Sequence, residues 1–68
     1  MPLVEVTLTE GRSADQVRSL IHELHQAVVH AVDAAPAAVR VIVREVPPAH
    51  WASGDVTIEE RRAGQEPQ

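Results

Sequence analysis

The sequence predicts an α/β (α+β) fold: a β-α-β subunit with two parallel strands, one long helix and a short C-terminal turn or hairpin, assembled as an oligomer. Three observations lead there. Two runs of period-two hydrophobicity flank one run of helical period. Prolines and glycines fall between these runs and not inside them. The chain has only 68 residues and no cysteine, so neither a large core nor a disulfide can stabilise it alone.

Residues 3 to 8, LVEVTL, set Val4, Val6 and Leu8 against Glu5 and Thr7, the alternation of a strand. Glu10-Gly11 breaks it. Ser13 with Gln16 three positions later is the capping-box pattern of a helix start, and Asp15 suits the positive end of the helix dipole. Val17, Leu20, Ile21, Leu24, Val28 and Ala31 then recur at steps of three and four, an amphipathic helix of about five turns. Pro36 ends it at the latest.

Residues 39 to 46, VRVIVREV, read as the second strand: Val39, Val41 and Val43 share one face, Arg40, Ile42, Arg44 and Val46 the other. Pro47-Pro48 stops it. A single helix between two strands implies parallel pairing by a right-handed crossover. One helix covers only one face of such a sheet, and parallel sheets are normally covered on both. Other subunits are therefore expected on the second face. Beyond Ala49, Ser53-Gly54-Asp55 signals a turn, and Val56 to Ile58 fits a short strand added to a neighbour's sheet edge. Residues 1–62 are read as one domain, and 63–68, polar with Gly and Pro, as a frayed, disordered tail.

Composition narrows the function. The net charge is -4, carried with six arginines and no lysine, and Arg61-Arg62 sit among Glu59, Glu60 and Glu66. That balance argues against a nucleic-acid partner. No stretch reaches the length of a membrane span, and no secretory signal pattern opens the chain, so a cytoplasmic location is expected. The four histidines follow no zinc spacing. Trp51 is the sole aromatic of the Phe, Trp and Tyr set, which suits an interface anchor or a pocket wall.

Four positions carry candidate chemistry. Pro2 follows Met1, and excision of methionine would expose a secondary amine. An α-amine titrates near pH ~8, and apolar or cationic surroundings lower it toward the range of a general base; the plainer reading is a proline that merely starts an edge strand. Arg40 lies within an apolar strand and needs an anion, either a ligand or a carboxylate such as Glu5 or Glu45. Arg12 stands in the Gly-Arg-Ser turn, as a solvated loop residue or a ligand contact. A strand rises ~3.3 Å per residue, which sets Leu8 roughly 20 Å from Pro2, so Arg12 is too far along to meet its own Pro2 unless the chain doubles back. If both serve one site, Arg12 comes from another subunit. His22 and His25 are three apart on the helix and are expected to face solvent; His50, beside Trp51, has no assigned role.

Together these residues resemble the 4-oxalocrotonate tautomerase family of the tautomerase superfamily. The resemblance runs from Pro2 to about Gly54: Met-Pro, a strand ending in Glu10-Gly11-Arg12-Ser13, the helix, Val39-Arg40-Val41-Ile42, and His50-Trp51 before Gly54. Each piece is common; their order and spacing in so short a chain are not. The resemblance implies a cofactor-independent isomerase assembled as a homohexamer, a trimer of dimers. It implies ketonisation of a 2-hydroxydienoate within aromatic hydrocarbon catabolism. By the same likeness Pro2 is the base and proton carrier, and Arg40 holds the carboxylate and oxygen at the reacting end. Arg12 holds the distal carboxylate, and Trp51 stands where the family has an aromatic, typically phenylalanine. Thr9 and Ser53 replace residues that are commonly aliphatic there. That departure leaves open another enolisable substrate, or a non-catalytic assembly or ligand-binding homologue.

Overall fold

The structure is a computed structural model that describes residues 1–65. In chain order it contains β1 (Leu3–Thr9), α1 (Ala14–Val32), a 3-10 turn (Pro36–Ala38), β2 (Arg40–Val46), a second 3-10 turn (Pro48–His50), β3 (Ala52–Ser53), β4 (Val56–Thr57) and α2 (Ile58–Gln65). β1 and β2 pair in parallel, from Leu3 opposite Arg40 to Thr9 opposite Val46. The β-α-β subunit read from the sequence is therefore the one that forms.

Each element ends where local chemistry ends it. Ser13 caps α1 reciprocally: its hydroxyl accepts the Gln16 N–H at 3.1 Å, and its own N–H donates to Gln16 Oε1 at 2.9 Å. At the other end Asp33 adopts a left-handed conformation, φ 53°, which short polar side chains tolerate. The helix therefore stops before Pro36. Val39 was expected in the second strand. Instead it closes the first 3-10 turn, its N–H directed to the Pro36 carbonyl at 3.4 Å, and β2 starts at Arg40.

Packing places Val4, Val6, Leu8, Val41 and Val43 on the helix side of the sheet, all half-buried. Val17, Leu20, Ile21, Leu24 and Val28 of α1 are half-buried as well, whereas Ala31 is exposed. Among the described residues no side chain is fully enclosed; Val39, at 8% exposure, is the core's only buried hydrophobic residue. The opposite sheet face is open and partly apolar, with Leu3 55% and Ile42 41% exposed. Glu5 and Arg44 make an ion pair there at 3.4 Å between two well-exposed side chains, a contact of little net value.

The chain is also far from spherical, measuring 51 × 25 × 16 Å. Its radius of gyration is 15.8 Å, against about 11 Å for a compact domain of this length. Its accessible surface is 5150 Å², against roughly 4,200 Å² for a compact monomer of this mass. The sheet face away from α1 is left uncovered by this chain, and among the described residues the core is not closed.

The C-terminal segment forms the expected short hairpin and then departs from expectation in a helix. Val56–Thr57 pairs with Ala52–Ser53 of its own chain as an antiparallel hairpin. Gly54 at φ 63° supplies the backbone that the tight turn requires. α2 then runs to Gln65, so Ala63, Gly64 and Gln65 are helical where a frayed tail was expected. Residues 66–68 of that expected tail lie outside the described residues. The helix is opened by a second capping box: Thr57 Oγ1 accepts the Glu60 N–H at 3.1 Å, and the Thr57 N–H donates to Glu60 Oε1 at 2.9 Å. Donation from the Thr57 backbone N–H, and second from the Thr57 side chain, holds the Glu60 carboxyl below its ordinary value.

Candidate functional site

Parallel register brings the start of β1 to the start of β2. Pro2, half-buried, accepts the Arg40 backbone N–H on its carbonyl at 3.0 Å. This bond extends the ladder by one step and makes Pro2 and Arg40 structural neighbours, although 38 positions separate them in sequence. The Arg40 side chain lies on the open sheet face and is exposed. Its Nη1 donates to the Ala37 carbonyl at 2.8 Å. It makes no pair with Glu5 or Glu45: Glu5 is engaged by Arg44 instead. A guanidinium has five N–H donors in a planar fork, so the Ala37 bond leaves most of them for an anionic ligand.

Arg12 follows β1 at its far end. Gly11, at φ 130°, takes a backbone conformation that L side chains rarely adopt, and this lets the chain turn toward α1. Arg12 Nη1 folds back to donate to the Thr9 carbonyl at 3.2 Å. Thr9 itself is buried, at 8% exposure. Trp51 follows the second 3-10 turn; its indole is partly exposed, and its carbonyl accepts the Ile58 N–H at 2.8 Å. β2 runs parallel to β1 and ends opposite Thr9, so the hairpin that follows Trp51 departs from the Arg12 end.

The four candidates thus form two half-sites. Pro2 and Arg40 meet at one end of the sheet. Arg12 and Trp51 stand toward the other, separated by the length of β1, roughly 20 Å. One chain does not bring the two halves together.

The histidines divide as well. His22 is exposed, as expected. His25 is half-buried, a correction to the expected solvent-facing pair: its Nε2 lies 2.9 Å from the Pro36 carbonyl and its Nδ1 3.4 Å from Gln26 Oε1. Both line a groove of about 360 Å³ between α1 and the edge of β2, together with Arg18, Val39 and Val41. None of Pro2, Arg12, Arg40 or Trp51 lines it. Among the described residues no cluster of three or more His, Cys, Asp or Glu side chains could hold a metal ion, and no helix is long and apolar enough to cross a membrane.

Sequence reasoning missed the Ala37 carbonyl as the partner of Arg40 and His25 as the partner of the adjoining turn. Neither has a sequence signature, because both acceptors are backbone carbonyls. The second capping box had one in Thr57-Ile58-Glu59-Glu60.

Comparison with known proteins is consistent with this geometry. A family model described as "Tautomerase enzyme" matches residues 2–61. The 2-hydroxymuconate tautomerase of Stutzerimonas stutzeri is 39% identical over 54 residues, which are 79% of this chain and 86% of that protein. Among solved structures, a heterohexamer 4-oxalocrotonate tautomerase from Chloroflexus aurantiacus J-10-fl superposes with a TM-score of 0.84 at 42% identity, covering 88% of this chain and 97% of that one. TomN, a 4-oxalocrotonate tautomerase homologue of the tomaymycin biosynthetic pathway, gives a TM-score of 0.88 at 45% identity, covering 91% and 95%.

Proposed function

The chain belongs to the tautomerase family and is a keto–enol isomerase, and we propose that it converts 2-hydroxydienoates of the 2-hydroxymuconate type to conjugated 2-oxo acids with the Pro2 amine as general base. The observation that carries this reading is the 3.0 Å ladder bond between Arg40 and Pro2. It sets a permanent cation's backbone beside the residue that becomes the N-terminus once Met1 is removed.

The steps follow from that pairing. The free amine of Pro2 takes the enol O–H proton, and the O–H electrons form the 2-oxo carbonyl. The double bonds shift along the chain, and the far carbon takes the proton back from the Pro2 ammonium. No atom is gained or lost, so a single base that both accepts and returns a proton suffices. Arg40 binds the carboxylate next to the enol and stabilises charge developing on its oxygen. Arg12 and Trp51 reach this centre from neighbouring subunits, Arg12 holding a distal carboxylate and Trp51 walling the amine with apolar surface. Such a wall disfavours the ammonium form and keeps the amine available as a base near neutral pH.

Assembly is therefore part of the mechanism. A homohexamer built as a trimer of dimers accounts for the bare sheet face and for the division of the site between two ends of the chain. A second reading concerns substrate alone: buried Thr9 and the likeness to TomN favour an enolisable substrate other than 2-hydroxymuconate.

Ultraviolet-monitored ketonisation of 2-hydroxymuconate, by protein whose mass verifies the loss of Met1, tests the proposal. Turnover well above the buffer rate is expected. Turnover confined to other enols in a substrate panel selects the second reading. No turnover of any enol by the processed oligomer overturns both and leaves a non-catalytic homologue.

A further inference from the structure

We infer that His25 is a positioning residue for Arg40, acting through the 3-10 turn Pro36–Ala38; the inference rests on the reading of Arg40 as the substrate's carboxylate ligand. The path consists of four contacts. The Pro36 carbonyl can only accept, so at 2.9 Å the His25 Nε2 carries the hydrogen. That carbonyl's other partner, the Val39 N–H, stands at the long distance of 3.4 Å. The imidazole is thus the stronger restraint on the Pro36–Ala37 peptide. The next carbonyl, Ala37, accepts Arg40 Nη1 at 2.8 Å, and the Arg40 N–H donates to Pro2 at 3.0 Å.

Without the imidazole the turn keeps only its own weak closing bond and the Ala38 N–H bond to the Ala35 carbonyl at 2.9 Å. Ala37 would then present its carbonyl to Arg40 over a range of orientations. His22, on the same groove, makes no hydrogen bond among the described residues and is the natural control.

The test compares His25→Leu, His25→Gln, His22→Leu, Arg40→Ala and the His25→Leu/Arg40→Ala double variant in the assembled protein. One readout is ketonisation of a 2-hydroxydienoate. The other, independent of turnover, is NMR of the Arg40 side-chain N–H signals and of Val39 amide exchange. Losing one restraining hydrogen bond is expected to lower kcat/KM about tenfold in His25→Leu, mainly through KM. His25→Gln, whose amide N–H reaches toward the same carbonyl, recovers most of that loss, and His22→Leu leaves the rate unchanged. The double variant is no worse than Arg40→Ala, because the two residues act on one contact. In His25→Leu the Arg40 guanidinium rotates more freely and the Val39 amide exchanges faster.

A purely structural role would instead multiply the two losses in the double variant and leave Arg40's rotation unchanged; either result overturns the inference. Should the wild-type chain turn over no enol, the substrate reading falls, and the NMR arm still decides whether His25 orders Arg40. If His25→Leu does not fold, His25→Asn, whose shorter amide falls short of the Pro36 carbonyl, replaces it in the same spectra: freer Arg40 in His25→Asn with ordered Arg40 in His25→Gln is expected, and equal order in both overturns the inference.

Discussion

Replacing Arg40 by alanine separates its chemistry from its structural part. The ladder bond to Pro2 uses the Arg40 backbone N–H and survives the substitution. The side chain is exposed and makes one internal bond, to Ala37. Losing that bond costs about 0.5–1.5 kcal/mol of stability. The catalytic loss is larger. A guanidinium that meets both the substrate carboxylate and the developing oxyanion is comparable to an oxyanion-hole donor, worth about 2.7–4 kcal/mol, or 10²–10³ in rate. Steady-state ketonisation with native mass and thermal melting alongside is the assay. Arg44→Ala is the matched control: on the same face and also exposed, but paired with Glu5 at 3.4 Å. Its expected cost is below about 1 kcal/mol of stability, with a rate within a few-fold of wild type. If Arg40→Ala keeps its rate within a few-fold, or if Arg44→Ala loses as much, the assignment of the carboxylate ligand is wrong.

Three further outcomes follow from the same geometry. Arg12→Ala should raise KM for a dicarboxylate dienol about tenfold or more while sparing a monocarboxylate enol; equal losses on both would remove Arg12 from the distal subsite. Native mass spectrometry should give a multiple of the 7.4 kDa chain, and a monomer at micromolar concentration would contradict the account of the bare sheet face. Glu60 carries a lowered pKa because its ionised form accepts the Thr57 bonds. Its support for α2 is thus full above the ordinary glutamate value and is lost as pH falls through the lower folded one. Chemical shifts of residues 58–65 should report α2 melting in that acidic window in wild type and weakened at neutral pH in Glu60→Ala; pH-independent shifts would refute the cap.

How much of this was legible in the sequence depended on how local each cause is. Ser13 and Gln16 meet within one turn, so the start of α1 could be read directly. The faces of β1 and β2 were legible because period two admits no other arrangement of Val4, Val6, Val41 and Val43. The Pro2–Arg40 contact is non-local but follows once parallel pairing is assumed. The start of β2 was misread because β-branched Val39 suits a strand, while the turn from Pro36 claims its N–H. α2 has little hydrophobic signature, because Ile58 and Ala63 are its only apolar residues, and its local sign is the polar cap at Thr57 and Glu60. The partners of Arg40 and His25 were hidden since any residue supplies a carbonyl. Strand length alone sets Arg12 apart from Pro2 of the same chain, which is why a shared site would need a second subunit.

The central claim is that a free Pro2 amine is the base, and one comparison tests it most directly: processed protein against a Met1-retaining form, matched in oligomeric state and assayed on the same dienol. In the retained form Pro2 nitrogen is an amide and has no basic lone pair. The account predicts turnover with Met1 removed and only the buffer rate with Met1 in place. Equal turnover by both forms would contradict it.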